Sequence, residues 1–169
     1  SYHSHSGQAK TDKILDMLKN GKQVALVSDA GTPGISDPGY TLVRDAILAW
    51  YEVTALPWPS AVITALSASG LPSNHFLYLG FLPVKKGRQT LLKKISEKQE
   101  ESIVIYESVH RIEKTLSDLK VYFWKEKKIV IGRELTKKFE SYIRGTIEEI
   151  QKYFSENPWK IKWEFVIIL

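Results

Sequence analysis

Ser28-Asp29-Ala30-Gly31-Thr32-Pro33-Gly34-Ile35-Ser36-Asp37-Pro38-Gly39 follows directly on the apolar run Val24-Ala25-Leu26-Val27 and precedes an apolar-periodic segment, residues 40–49. The run reads as a buried strand and the segment as a helix. The stretch between them is therefore a loop at the C-terminal end of a strand, the place where open α/β sheets bind ligands. Its glycines allow positive φ and close approach, and its prolines hold φ near −65°. A strand-to-helix turn needs fewer residues than this, so a ligand loop is the stronger reading.

Working outward, residues 7–20 are predicted to form an amphipathic helix with Ile14, Leu15, Met17 and Leu18 on one face and Gly21 ending it. Strands are predicted over 23–27 and 52–56, and helices over 40–49 and 61–69. Strand, loop and helix in repetition imply a parallel sheet with crossover helices. After Leu71-Pro72-Ser73-Asn74 the rhythm changes. Strands are expected over 76–81, 103–106, 128–132, 142–146 and 163–169, with helices over 89–100, 111–123 and 147–154. The expected fold is α/β in two parts: a parallel α/β remainder over 1–72 and a mixed-sheet α/β domain over 73–169. The start on a helix and the stop inside a strand are what a fragment of a longer protein would show.

With 169 residues, 43% hydrophobic and 25% charged, the chain is long enough to bury a real core. It has no cysteine, which excludes disulfides and thiolate metal sites. His3 and His5, two apart with no acidic or histidine partners, make a poor metal site, and none is expected. No apolar run approaches the roughly 20 residues of a spanning helix, so a cytoplasmic protein with no membrane partner is expected. Lys and Arg outnumber acids 24 to 19, with Lys85-Lys86-Gly87-Arg88, Lys93-Lys94 and Lys137-Lys138 in the second half. Such a face attracts phosphate backbones, although lysines at turns are also routine solvation.

Polar clusters sit at three expected strand ends: Ser28-Asp29, residues 107–111 and residues 133–136. Charged groups just past apolar strands cost desolvation unless they are paired or used, which favours a site. The competing reading is that Glu107, Arg111, Arg133 and Glu134 pair with one another across neighbouring strand ends. His110 is either a general base or a hydrogen-bonded structural imidazole. No nucleophile elbow, Walker sequence or Gly-x-Gly-x-x-Gly occurs.

Taken in order, Val27 to Gly39, Pro59-Ser60-Ala61, Gly80-Phe81-Leu82-Pro83, Tyr106-Glu107-Ser108 with His110-Arg111, and Arg133-Glu134-Leu135-Thr136-Lys137 resemble one family, the small-subunit ribosomal RNA methyltransferase I group of the tetrapyrrole methylase-like fold. The resemblance implies S-adenosylmethionine-dependent 2′-O-methylation of a cytidine in 16S ribosomal RNA of the 30S subunit. It also implies two α/β domains with the cofactor in the cleft between them, and commonly a homodimer. By position, Asp29, Ala30, Gly31, Thr32, Pro33, Ile35, Ser60 and Ala61 are its expected cofactor contacts. Glu107, His110 and Arg111 are the expected catalytic group, and Lys85, Lys86, Arg88 and Arg133 the RNA contacts. A tetrapyrrole methylase of the same fold and an inactive RNA-binding fragment are the alternatives. The chain departs from the family by lacking its opening strand and Pro-x-Gly-Asn turn. It also carries Trp58 and Trp163 where the family has glycine, and Trp50, Trp124 and Trp159 at further turn-like positions. A UGA codon read as glycine would account for the tryptophans, which in turns are expected to be destabilising.

Overall fold

The computed structural model describes residues 2, 3, 7–98 and 101–169. His5, and the expected end of the fourth helix at Gln99 and Glu100, lie outside them. The chain packs as two units, Ser1–Ser60 and Ala61–Leu169.

The first unit holds α1 (Gln8–Lys19) and α2 (Tyr40–Leu48). The Tyr2 hydroxyl lies 3.0 Å from Thr11 Oγ1 on α1 and 2.7 Å from Thr41 Oγ1 on α2, tying both helices to the N-terminal segment. The strands predicted over 23–27 and 52–56 are not found: no ladder forms there among the described residues. A strand exists by pairing, and apolar residues alone do not supply a partner. Val27 is accordingly 67% exposed and Leu56 70%.

The second unit runs α3 (Ala61–Ser67), β1 (Phe76–Phe81), α4 (Arg88–Ser96), β2 (Ser102–Glu107), α5 (Ile112–Tyr122), β3 (Lys128–Arg133), β4 (Ser141–Thr146), α6 (Ile147–Glu156), a single 3-10 turn Pro158–Lys160, and β5 (Phe165–Ile168). The sheet order is β1-β2-β5-β3-β4. β1 and β2 are parallel, joined by the α4 crossover, while β5 pairs antiparallel with both β2 and β3, and β3 with β4. The expected mixed sheet is thus present.

Strand alternation sorts the core into two faces. Ile103 and Ile105 of β2, Ile129 and Ile131 of β3 and Phe165 and Ile167 of β5 pack with Leu92 of α4, Leu116 of α5 and Phe154 of α6. Val104, Val130, Val166 and Ile168 point the other way, onto Val62, Ala65 and Leu66 of α3. Because both faces are covered, the central strands read as continuous apolar runs. α3, which the sequence groups with residues 1–72, packs on this sheet; Tyr142 donates its hydroxyl to Thr64 O at 3.1 Å and Arg144 reaches Ala68 O at 2.6 Å.

Candidate functional site

In the first unit, the loop over 28–39 is shaped by its own backbone. The Ser28 hydroxyl lies 2.9 Å from Gly31 O and 3.2 Å from Ala30 O, and the Ile35 amide donates to Thr32 O at 3.2 Å. Gly39 closes the loop as the residue before α2 at φ 145°, a backbone conformation that favours glycine, and a Cβ there would also press on Leu26 Cδ2 at 2.7 Å. Thr32 donates its hydroxyl to Pro59 O at 3.1 Å, which brings the loop against the Pro59-Ser60 turn. Of the expected cofactor contacts, Thr32 thus bonds to the residue preceding Ser60, while Ala61 opens α3 in the second unit. The side chains of Asp29, Ala30 and Ile35 are exposed, and Pro33 is half-buried. Beside Gly31 and Gly34 a Cβ would meet no atom within 4 Å, leaving the backbone open to a ligand's approach. The segment carries two carboxylates, Asp29 and Asp37, and no Lys or Arg. That donor set fits S-adenosylmethionine, whose sulfonium and ammonium groups are cationic, better than it fits a phosphate.

In the second unit, Glu107 ends β2 on the face covered by α4 and α5 and is completely buried. One carboxylate oxygen accepts from the Ser108 amide at 2.7 Å and from Arg111 Nε at 2.8 Å; the other accepts from the Thr115 hydroxyl at 2.6 Å. Arg111 also donates to Leu82 O at 3.0 Å. Thr115 in turn accepts from Arg88 Nη2 at 2.8 Å, and Arg88 pairs with Asp118 at 2.8 Å and donates to Pro83 O at 3.2 Å. The network links the ends of β1 and β2 to the starts of α4 and α5, and its buried charges are paired as burial demands. Glu107 and Arg111 are thus brought together, and His110 stands exposed in the same turn. Arg88 is separated from Lys85 and Lys86: the lysines are exposed, whereas Arg88 is buried in this network.

Arg133 is likewise buried, at the end of β3. It donates to Lys160 O at 2.7 Å and Phe139 O at 3.3 Å and pairs with Glu134 at 2.5 Å. The ion pairs Glu107–Arg111 and Arg133–Glu134 form within their own segments and not across strand ends. Arg133 clamps a loop in which Glu134 (φ 50°) and Thr136 (φ 64°) are left-handed, a conformation that non-glycine residues keep only when neighbours over-determine it. Lys137 and Lys138 stand exposed on that loop.

Sequence reasoning missed an aromatic group on the α3 face. Tyr106 packs edge-to-face on Tyr78, with ring centroids 5.2 Å apart, and on Phe81 at 5.7 Å. Burial, reinforced by the Tyr78 hydroxyl, pushes the Tyr106 phenol well above its usual range, and the Val62 amide opposes that by donating to it. The available signal was period-2 alternation: Tyr106 follows Val104 on one face, as Glu107 follows Ile105 on the other. Among the described residues no three metal-ligating side chains gather, and no helix is long and apolar enough to cross a membrane.

The sequence profile described as Tetrapyrrole (Corrin/Porphyrin) Methylases matches residues 3–151. Among curated proteins, the chain is 42% identical over 170 residues to a ribosomal RNA small subunit methyltransferase I from Synechocystis sp., covering 100% of this chain and 60% of the relative. It is 43% identical over 168 residues to the one from Haemophilus influenzae, covering 99% and 59%, and 44% identical over 168 residues to the one from Escherichia coli O157:H7, covering 99% and 58%. The chain thus spans about three-fifths of the length of these relatives. Among solved structures, the methyltransferase CobJ aligns with a TM-score of 0.68 at 19% identity over 94% of this chain and 69% of that one. A uroporphyrin-III C-methyltransferase from Thermus thermophilus complexed with S-adenyl homocysteine aligns with a TM-score of 0.60 at 14% identity over 95% and 72%. At such identities the two structures speak for the fold.

Proposed function

Because the chain belongs to the tetrapyrrole (corrin/porphyrin) methylase family, we propose that it is part of an S-adenosylmethionine-dependent enzyme that methylates the 2′-hydroxyl of a cytidine ribose in 16S ribosomal RNA. A contrast in likeness carries this reading. Identity is 42–44% along the whole chain to proteins named for ribosomal RNA methylation, against 14–19% to the solved methyltransferases above. The cofactor is held by Asp29, Ala30, Gly31, Thr32, Pro33 and Ile35, with Ser60 and Ala61 beside them. The acidic, lysine-free loop supports this, since a sulfonium is repelled by cations.

When bound, S-adenosylmethionine supplies an electrophilic methyl group; what remains for the chain is to align the ribose and help its hydroxyl lose a proton. His110 takes that proton, and Glu107 acts through the turn it fixes and through Arg111. Lys85 and Lys86 hold the RNA backbone, with Lys137 and Lys138 as a second basic point. Arg88 and Arg133 support these surfaces from beneath. The reading brings with it the 30S subunit as partner, a cytoplasmic location and the homodimer that the resemblance implies.

The test uses the full-length protein. Calorimetric titration with S-adenosylmethionine is expected to give saturable heat, and incubation with undermethylated 30S subunits to yield 2′-O-methylcytidine on nucleoside digestion. Absence of heat, or methylation of a tetrapyrrole with none of the RNA, defeats the reading. His110→Ala is expected to slow methyl transfer by roughly 10²-fold while the cofactor heat persists. An unchanged rate removes His110 from the role.

A further inference from the structure

α1 and α2 end in the same way. Past α1, Asn20 is the C-cap and Gly21 follows at φ 74°; the Gly21 amide donates to Leu18 O at 2.9 Å and the Lys22 amide to Met17 O at 3.0 Å. Past α2, Ala49 is the C-cap and Trp50 follows at φ 63°; the Trp50 amide donates to Ile47 O at 3.0 Å and the Tyr51 amide to Ala46 O at 3.0 Å. Bond for bond these are the same Schellman turn. Its left-handed residue is ordinarily glycine, because any Cβ crowds the following carbonyl. The first helix obeys the rule with Gly21, and the second places the largest side chain at the equivalent position.

Trp163 repeats the anomaly at φ 67° in the turn leading into β5. A bulky residue in this region is an outlier that surrounding structure must repay. Glu134 shows what repayment looks like, with its carboxylate locked to Arg133. The Trp50 ring is 95% exposed and returns nothing by burial; Trp163 is 61% exposed beneath the Lys137 ammonium, 4.8 Å from its ring centre. Trp58, Trp124 and Trp159 are exposed as well, and no tryptophan enters either core cluster. A residue type that is highly buried on average is therefore confined to the surface at all five of its positions.

We infer that the native polypeptide carries glycine at positions 50 and 163, the codon there being UGA, decoded as glycine in the organism that makes the protein. One decoding rule then explains the left-handed turns at 50 and 163, and the same codon at 58, 124 and 159 explains their exposure. Mass spectrometry of tryptic peptides from the protein made in its own host decides the matter. The peptide beginning after Arg44 reports position 50 and the one beginning after Lys162 reports position 163. Glycine at both is the expected result, and tryptophan at either overturns the inference. A second measurement uses full-length recombinant protein, in which W50G and W163G are each expected to raise the urea midpoint by about 0.5 M at unchanged slope. A midpoint that stays or falls in either variant, or a tenfold loss of RNA affinity in W163G, shows the indoles to be working side chains, base-stacking platforms in the second case, and overturns it.

Discussion

Tyr106 and Glu107 are adjacent in sequence and face opposite sides of the sheet, and each predicts something different. The Tyr106 phenol is held above its usual range chiefly by burial. Its folded value exceeds its unfolded value of about 10, so the associated stability is intact below pH 10 and is lost as pH rises beyond it. Urea unfolding from pH 8 to 11 should show an alkaline decline that is shallower in Tyr106→Phe; an identical slope would exclude Tyr106 as its source. Glu107→Gln instead strands Arg111 and should cost about 3 kcal/mol at neutral pH by the same measurement. The sequence shows Glu107 and Arg111 four residues apart at a strand-to-helix turn, which suffices to mark the place. It does not show that Thr115 and Arg88 complete a cage around the carboxylate, because Arg88 is distant in sequence and arrives through the packing of α4 on α5. Of the expected catalytic group, Glu107 is thus buried and paired with Arg111, and the exposed member of its turn is His110.

At the scale of elements, β1 to β5 and α3 to α6 were legible because apolar runs and 3.6-residue periodicity coincide with real packing faces. α6 also carries its start signal in plain view. Thr146 accepts from the Glu149 amide at 3.2 Å while the Glu149 carboxylate accepts from the Thr146 amide at 2.6 Å, a reciprocal capping box. Thr146→Ala should lower stability by about 1 kcal/mol in denaturant titrations and Thr146→Ser by much less. The Thr146 amide, with Lys128 beside it, holds the Glu149 carboxyl below the usual carboxylate range, so this cap is present above that range and is lost as pH falls through the depressed value. Residues 23–27 and 52–56 were not legible in this way. Val24-Ala25-Leu26-Val27 has the composition of a buried strand, but composition is local and a ladder needs a second chain segment in register.

Across the whole molecule, the excess of 24 basic over 19 acidic residues pointed to a phosphate-binding face but could not say which cations are free to make it. Lys85 and Lys86 project from the β1–α4 turn, whereas Arg88, beginning α4, is committed to Asp118 and Thr115. The double variant Lys85→Ala/Lys86→Ala should therefore flatten the log–log salt dependence of RNA binding by about 2 without moving the unfolding midpoint. Arg88→Ala should lower the midpoint; an unaltered midpoint would return Arg88 to the binding face. The sheet has a further consequence in time. β1 and β2 pair with each other, as do β3 and β4, but only β5, the latest of the five strands in sequence, joins the two pairs. During synthesis the five-stranded sheet is therefore incomplete until residues 165–168 have left the ribosome. Until then the inner edges of β2 and β3, which include Val104 and Val130, remain open to other chains. The interval between the emergence of β2 and that of β5 is thus the period in which these edges lack their native partner.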